Sequence, residues 1–358
     1  MVIRIGVDGH VLTGRYQGTR TTLSNLLRAV APKLKNCAAI IYSDDPAGAQ
    51  HLVNAKPFEY HSLGYAGSIR RLTRTLPLLF KRDRIDLGVF QYMTPLTGKH
   101  LVFIHDLLPI THKHLFPLKI RIRTRLFFWL SVRRAAGVVA VSRYTHAEIS
   151  RVFPFARRKL FTVLNGPSFA PEVYLTQCTP SPNRYILTVG RIEPRKNIAL
   201  LVSAFRRAAV PGIRLVIVGA WDPDFPRGSI EGDGVEVCSE VNDASLISLY
   251  RGASLFAYPS EAEGFGVPLL DATLFGLPVI ASDRTALPEV GGALAEYFDP
   301  TASDAADVLA ARLREHFTDS PIRRPTNEER GVQAAHFSWN RAADDFLTAV
   351  HTTCAEKR

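Results

Sequence analysis

The sequence predicts an α/β protein made of two Rossmann-like β/α/β domains, and three observations carry that expectation. Short apolar runs ending in Gly, Pro, Asn or Asp alternate with longer amphipathic stretches along the chain. That is the pattern of parallel strands joined by helices. At 358 residues the chain is longer than one typical domain and suits two. Near its middle a stretch rich in Pro, Ser and Thr, running to Asn183, interrupts the alternation as a linker does. These signals set the expected boundaries: 1–168 for a first domain, 169–183 for the linker, 184–336 for a second domain and 337–358 for a terminal helix.

Composition narrows the function. A hydrophobic content of 46% with 22% charged residues is that of a globular chain. No apolar run reaches membrane-spanning length, and the opening MVIRIGVDGH reads as a strand without a signal-peptide core. Cys37, Cys178, Cys238 and Cys354 are scattered without metal-ligand spacing, as expected of reduced thiols in a cytoplasmic protein. No metal or other cofactor is expected. The net charge of +11 suits anionic substrates, an anionic membrane face or nucleic acid. The aromatic–basic signatures of nucleic-acid binders are missing, so nucleic acid is not an expected partner.

In the first domain, Val2–Val7 reads as a strand ending at Asp8-Gly9. The loop beyond it carries Gly14 and Gly18, with Arg15 and Arg20, and leads to a helix near Thr21–Ala31. A glycine-bearing strand-to-helix turn is where nucleotide phosphates are held; a plain connecting turn fits equally well. Ala38–Tyr42 and Leu87–Phe90 read as buried strands, with a basic segment from Ser68 to Arg84 between them. Tyr92 lies at a strand end, where it can meet an acceptor or simply pack. Leu101–Ile104 ends in His105-Asp106-Leu107, which places an imidazole at the carboxyl end of a strand. Leu118, Ile122, Leu126 and Trp129 then recur at helical spacing among Lys119, Arg121, Arg123, Arg125, Arg133 and Arg134. Such a helix can lie on an anionic bilayer, or turn its apolar side to the core. Gly137–Val141 is a strand, Ser142 caps the next helix, and Phe161–Leu164 leads to the linker.

The second domain opens with the strand Tyr185–Val189 and the loop Gly190-Arg191-Ile192-Glu193-Pro194-Arg195-Lys196-Asn197. Arg191 offers a forked donor and Lys196 a point charge, a pair suited to a diphosphate that gains charge as it leaves. Asn197 is expected to cap the helix that follows. Leu215–Val218, Val235–Cys238 and Leu255–Tyr258 are further strands. The stretch Glu261–Gly292 organises the rest. Glu263 is followed at once by Gly264, Phe265, Gly266 and Val267. Pro268 suits the first turn of a helix, and Gly276 the position past its end. The N-terminus of that helix is an anion site. Asp271 follows Glu263 by eight positions, so each carboxylate can hold a sugar hydroxyl. Val279–Ala281 is the next strand, and a terminal helix begins at the N-cap Ser338.

The Glu263-to-Asp271 spacing, the Gly-Leu-Pro-Val-Ile-Ala-Ser and Leu-Pro-Glu-Val tail, the Gly-Arg-x-x-x-x-Lys-Asn loop and His105-Asp106-Leu107 together resemble the retaining glycosyltransferases of family 4. One position departs: Asp271 stands where that family usually has Glu. The resemblance implies the GT-B architecture, with two Rossmann-like domains facing a central cleft and a C-terminal helix crossing back to the first. It implies a metal-independent transferase using a nucleoside diphosphate sugar. Arg191 and Lys196 would stabilise the leaving diphosphate, helped by amides near Gly266 and Val267. Glu263 and the amides of Gly264, Phe265 and Gly266 would hold sugar hydroxyls, and Asp271 the ribose. His105 would contact the sugar, the loop of Gly14 and Gly18 would lie over the diphosphate, and Tyr92 and Asp106 are acceptor-side candidates. The expected reaction moves mannose from GDP-mannose to a glycan acceptor, polyprenyl-linked at the inner membrane face, in bacterial surface polysaccharide synthesis. A UDP-sugar donor, a nucleotide-sugar epimerase and a non-catalytic partner subunit are the alternatives.

Overall fold

A computed structural model describes residues 2–13, 18–35, 37–64, 67–175, 184–223, 225–226, 228, 230 and 232–355. The chain divides into two compact units, one formed by residues up to Gly166 together with those from Phe337 onward, the other by Pro167–His336.

In the first unit the described strands are β1 (Ile3–Asp8), β2 (Cys37–Ser43), β3 (Glu59–Ser62), β4 (Leu87–Gln91), β5 (His100–Ile104), β6 (Gly137–Ala140) and β7 (Leu160–Thr162). They form one parallel sheet in the order β3-β2-β1-β4-β5-β6-β7. The order reverses between β1 and β4, and in such sheets ligands bind beyond the carboxyl ends of the strands at the reversal. The interior strands are apolar on both faces because helices cover both. On one face Tyr42, Phe90, Val102, Ile104 and Val138 pack with Leu72, Leu76, Phe80, Phe128, Val132 and Phe153. On the other, Phe103 meets Phe346 of the terminal helix Trp339–Ala355 at 5.9 Å between ring centroids. That helix also packs against Gly18–Val30. Ser338 caps its start, the hydroxyl accepting from the Arg341 amide at 3.3 Å.

In the second unit, β8 (Tyr185–Val189), β9 (Arg214–Val218), β10 (Val235–Cys238), β11 (Leu255–Tyr258), β12 (Val279–Ser282) and β13 (Glu296–Phe298) form a second parallel sheet in the order β10-β9-β8-β11-β12-β13. Its reversal lies between β8 and β11. One core side gathers Leu201, Val202 and Ala208 from Ile198–Ala208, Leu309 and Leu313 from Ala305–Thr318, and Leu215, Ile217 and Ile280 from the sheet.

One expectation changes and two segments take definite form. Within 169–183, Pro171–Leu175 is helical, and Tyr174 is buried against Phe169 and Phe275. Asn197 does precede the helix Ile198–Ala208, but it sits in the left-handed region at φ 53° and makes no side-chain cap. Its side-chain Nδ2 donates to the Pro300 carbonyl at 3.5 Å instead. The apolar stripe of Leu118–Arg134 does not face the core. Phe128, Ser131 and Val132 are the buried side, while Leu118, Ile122, Leu126 and Trp129 are exposed. No helix of the described residues is long and apolar enough to cross a membrane.

Candidate active site

The loops after β8 and β11 stand at the strand-order reversal of the second sheet and are tied together by their main chains. The Arg195 carbonyl accepts from the Glu261 amide at 2.8 Å, and the Ser260 hydroxyl oxygen lies 3.3 Å from it. Gly266 makes the turn into the helix Val267–Leu274 possible: its φ is 99°, and a Cβ there would meet Leu287 Cδ2 at 2.6 Å. Pro268 takes the first turn of that helix, where its missing N–H costs nothing. Past the far end, Gly276 has φ 73°.

Glu263 is the centre of the arrangement and is only 6% exposed. One carboxylate oxygen accepts from Lys196 Nζ, from Ser260 Oγ at 2.6 Å and from Tyr258 Oη at 3.0 Å. The other accepts from Arg195 Nη1 at 2.8 Å. Its amide donates to Thr285 Oγ1 at 2.9 Å. Burial pushes the carboxyl pKa up, but the charges of Arg195 and Lys196 and the hydrogen bonds from Lys196 and Ser260 outweigh it, so it falls to about 2. Lys196 is equally deep: burial pulls its ammonium down while Glu263 opposes. It also donates to Tyr258 Oη at 2.8 Å. Outward from this pair the charges alternate. Arg195 Nε meets Glu193 at 2.7 Å, and the partly exposed Arg191 meets Asp222 at 3.0 Å.

Lys196, Glu263, Gly264, Phe265, Gly266 and Val267 therefore lie within one loop pair, with Arg191 at its outer end. Phe265 is buried, so it can offer a ligand only its main chain. Asp271 has its own partners in this structure. At 2% exposure, its Oδ1 accepts from the Ser168 amide at 2.9 Å and from Tyr174 Oη at 2.6 Å. Burial raises its pKa to about 6 against those hydrogen bonds. Sequence reasoning missed Arg195, Tyr258, Ser260, Glu193 and Asp222. Arg195 adjoins Lys196, and Tyr258 and Ser260 sit at the end of β11, but only the pairing of β8 with β11 brings them onto one carboxylate. It also passed over the Asp-x-Asp pair Asp222-Pro223-Asp224. Asp222 is the partner of Arg191, and Asp224 lies outside the described residues. Among the described residues there is no group of three or more His, Cys, Asp and Glu able to hold a metal.

In the first unit, Tyr92, His105 and Asp106 lie together beyond β4 and β5. His105 Nε2 is 2.6 Å from Gln91 Oε1, so Nε2 carries the proton. Burial lowers the imidazole pKa to about 4, which leaves it neutral at pH 7. The Tyr92 hydroxyl donates to Asp106 Oδ2 at 3.1 Å, and its ring stacks on Phe128 at 5.5 Å. Tyr92 holds φ 63°, a strained backbone for a bulky residue and a common mark of a functional position. Gly18 opens the helix Gly18–Val30, whereas Gly14 and Arg15 lie outside the described residues.

Known proteins resemble the chain in sequence and in fold. The model of the family "Glycosyl transferases group 1" matches residues 178–330. The O-antigen chain mannosyltransferase B of Escherichia coli is 31% identical over 241 residues, which is 61% of this chain and 61% of that protein. The aligned stretch is thus less than two thirds of the relative's own length. Sucrose-phosphate synthase from Thermosynechococcus elongatus superposes with a TM-score of 0.76 at 17% identity, covering 98% of each chain. Anabaena HepE in complex with UDP-glucose superposes at 0.71 with 16% identity, covering 98% of this chain and 100% of the other. The chain is a two-unit α/β protein of GT-B fold that matches the Glycosyl transferases group 1 model over residues 178–330 and is similar in sequence to a bacterial mannosyltransferase.

Proposed function

We propose that the protein is a retaining, metal-independent glycosyltransferase that moves a sugar from a nucleoside diphosphate donor to a glycan acceptor. The observation that carries this reading is the buried Glu263–Lys196–Arg195 network beside the N-terminus of Val267–Leu274. A fixed carboxylate suited to sugar hydroxyls stands there next to cations and helix amides suited to phosphate. In this reading Arg191 exchanges Asp222 for the diphosphate, and Lys196 with the amides near Gly266 and Val267 takes the charge that develops on it. Glu263 and the main chain of Gly264, Phe265 and Gly266 orient the sugar. Ribose hydroxyls compete with Ser168 and Tyr174 for Asp271. His105, neutral with its proton on Nε2, accepts a hydrogen bond from a sugar hydroxyl at Nδ1, and Tyr92 with Asp106 serves the acceptor. No enzymic nucleophile is assigned. The acceptor oxygen bonds to the anomeric carbon on the face from which the diphosphate departs, and the acceptor proton leaves on a diphosphate oxygen.

The similarity to an O-antigen mannosyltransferase favours GDP-mannose as donor and a polyprenyl-linked glycan as acceptor, with the enzyme working at the cytoplasmic face of a membrane. The UDP-glucose complex of the structural neighbour favours a second reading, a UDP-sugar donor. The test is transfer from GDP-mannose and from UDP-glucose to a polyprenyl-linked glycan, with the anomer of the product read by NMR and EDTA present in a parallel reaction. Product with the donor's anomeric configuration, unaffected by EDTA, is expected. An inverted product, or transfer abolished by EDTA and restored by a divalent cation, would refute the mechanism. Conversion of the donor without acceptor would replace it by an epimerase.

A further inference from the structure

The first unit carries a surface that the donor site does not use. Helix Leu118–Arg134 is anchored by Phe128, Ser131 and Val132 and presents its other side outward. On that side Leu118 and Ile122 are each 61% exposed, Leu126 55% and Trp129 44%. Their spacing places them in one row along the helix. Lys119, Arg123, Arg125, Arg133 and Arg134 are exposed around the row, and the helix contains no acid.

Two neighbouring segments extend this character. Phe155 is exposed in the turn Pro154–Lys159, with Arg157 and Arg158 beside it and the Arg133 guanidinium 5.7 Å over its ring. Ile69 and Leu78 are exposed in the stretch 67–82, among Arg70, Arg74 and Lys81, while Arg82 at its end pairs with Asp83 at 2.7 Å. Leu72, Leu76 and Phe80 of that stretch share one core with Phe128 and Val132 of the helix and with Phe153 and Ala156 before and within the turn. All three segments therefore cover the same face of the first sheet. None of 67–82, 113–135 or 153–159 contains Asp or Glu.

We infer that this face docks on an anionic lipid bilayer, with Leu118–Arg134 lying in the interface plane and Leu118, Ile122, Leu126 and Trp129 inserted below the headgroups. The charge is of one sign across three segments separated in sequence, as a uniformly anionic surface requires. A globular protein surface normally mixes signs. The tryptophan and the long basic side chains suit the headgroup boundary, where apolar stems sink and charged ends reach phosphate. This deepens the reading of a lipid-linked acceptor, and it can fail while donor binding holds, because none of these residues belongs to the second unit.

The test uses the full chain and sedimentation with vesicles of phosphatidylcholine containing phosphatidylglycerol, against vesicles of phosphatidylcholine alone. Binding only to the anionic vesicles, weakened by salt, is expected, since each cation near the surface changes partitioning roughly fivefold. The fluorescence of the bound protein should shift to the blue, and the shift should vanish in Trp129→Phe. Ile122→Glu with Leu126→Glu should lower binding by about a hundredfold from lost apolar insertion, and Arg123→Glu with Arg125→Glu should lower it as well. Nucleotide-induced thermal shifts in these variants should equal those of the wild type, which shows that they fold. Absence of wild-type binding at low salt would overturn the inference. So would binding indifferent to Ile122 and Leu126, or a vesicle-free dimer that the same substitutions dissolve, which would assign the face to a second copy.

Discussion

Glu263→Gln tests whether the buried charge pair holds the loops after β8 and β11 in place. The carboxylate is brought from an ordinary 4.5 to about 2 even though burial alone would raise it. At 1.36 kcal/mol per pH unit this difference is worth about 3 kcal/mol of stability at neutral pH. The folded value is the lower one, so the contribution is complete above 4.5 and is lost as pH falls through 2. Glutamine forfeits that contribution and leaves the Lys196 ammonium buried without its counter-charge. Breaking such a pair from one side costs about 3–5 kcal/mol. Lys196→Met should do similar harm by stranding Glu263 between Arg195, Ser260 and Tyr258. The double variant removes both charges together. Its loss should fall short of the sum of the single losses by about 1–3 kcal/mol, as for groups in direct contact. Urea unfolding of the four proteins at neutral pH reads this cycle. Additive losses, or a Glu263→Gln protein within about 0.5 kcal/mol of the wild type, would refute the pairing.

Asp271 behaves in the opposite sense. Burial raises its pKa from 3.8 to about 6, so stability is highest while it is protonated and is lost as pH rises through 6. Asp271→Asn keeps an acceptor for Ser168 and Tyr174, so by this linkage it should be more stable than the wild type at neutral pH by up to about 3 kcal/mol, with a flatter urea-midpoint profile between pH 4 and 7. Burial lowers His105 from 6.5 to about 4, so the stability it lends is complete above 6.5 and is lost as pH falls through 4. His105→Gln should remove up to about 3 kcal/mol of that acid-side decline, measured by unfolding across the same range, and should slow sugar transfer. Gly266→Ala must accept a φ of 99° and a 2.6 Å approach to Leu287, and should cost more than about 1 kcal/mol. The readout is its melting temperature, and an unchanged value would mean that the turn relaxes freely.

The interior of both sheets was legible because it is written locally. β8 spans the expected Tyr185–Val189, and β9 differs from Leu215–Val218 by one residue at its start. Each is a continuous apolar run bounded by loop residues. The edge strands β3 and β13, Glu59-Tyr60-His61-Ser62 and Glu296-Tyr297-Phe298, were not foreseen. An edge strand has one neighbour and partial exposure, so it needs no apolar run. Of the site, Lys196 and Glu263 were legible through their motifs, whereas Arg195, Tyr258 and Ser260 were not. Their meeting on one carboxylate depends on β8 lying next to β11, a tertiary fact. The helix Leu118–Arg134 shows the same limit. Spacing gathers Leu118, Ile122, Leu126 and Trp129 on one side, but only the fold turns that side outward and buries Phe128 instead.

The central claim is that the second unit holds a nucleoside diphosphate sugar at Arg191, Lys196 and Glu263. Its most direct test is the melting temperature with GDP, UDP, ADP and dTDP, followed by the matching sugar nucleotides, for the wild type and for Arg191→Ala. A ligand that binds only the folded protein must raise it, by about 2.7 kcal/mol of stability at a hundredfold excess over its dissociation constant. A rise selective for one nucleotide, GDP first among them, and abolished in Arg191→Ala is the predicted result. No rise with any nucleotide, or a rise that Arg191→Ala leaves intact, would contradict the account.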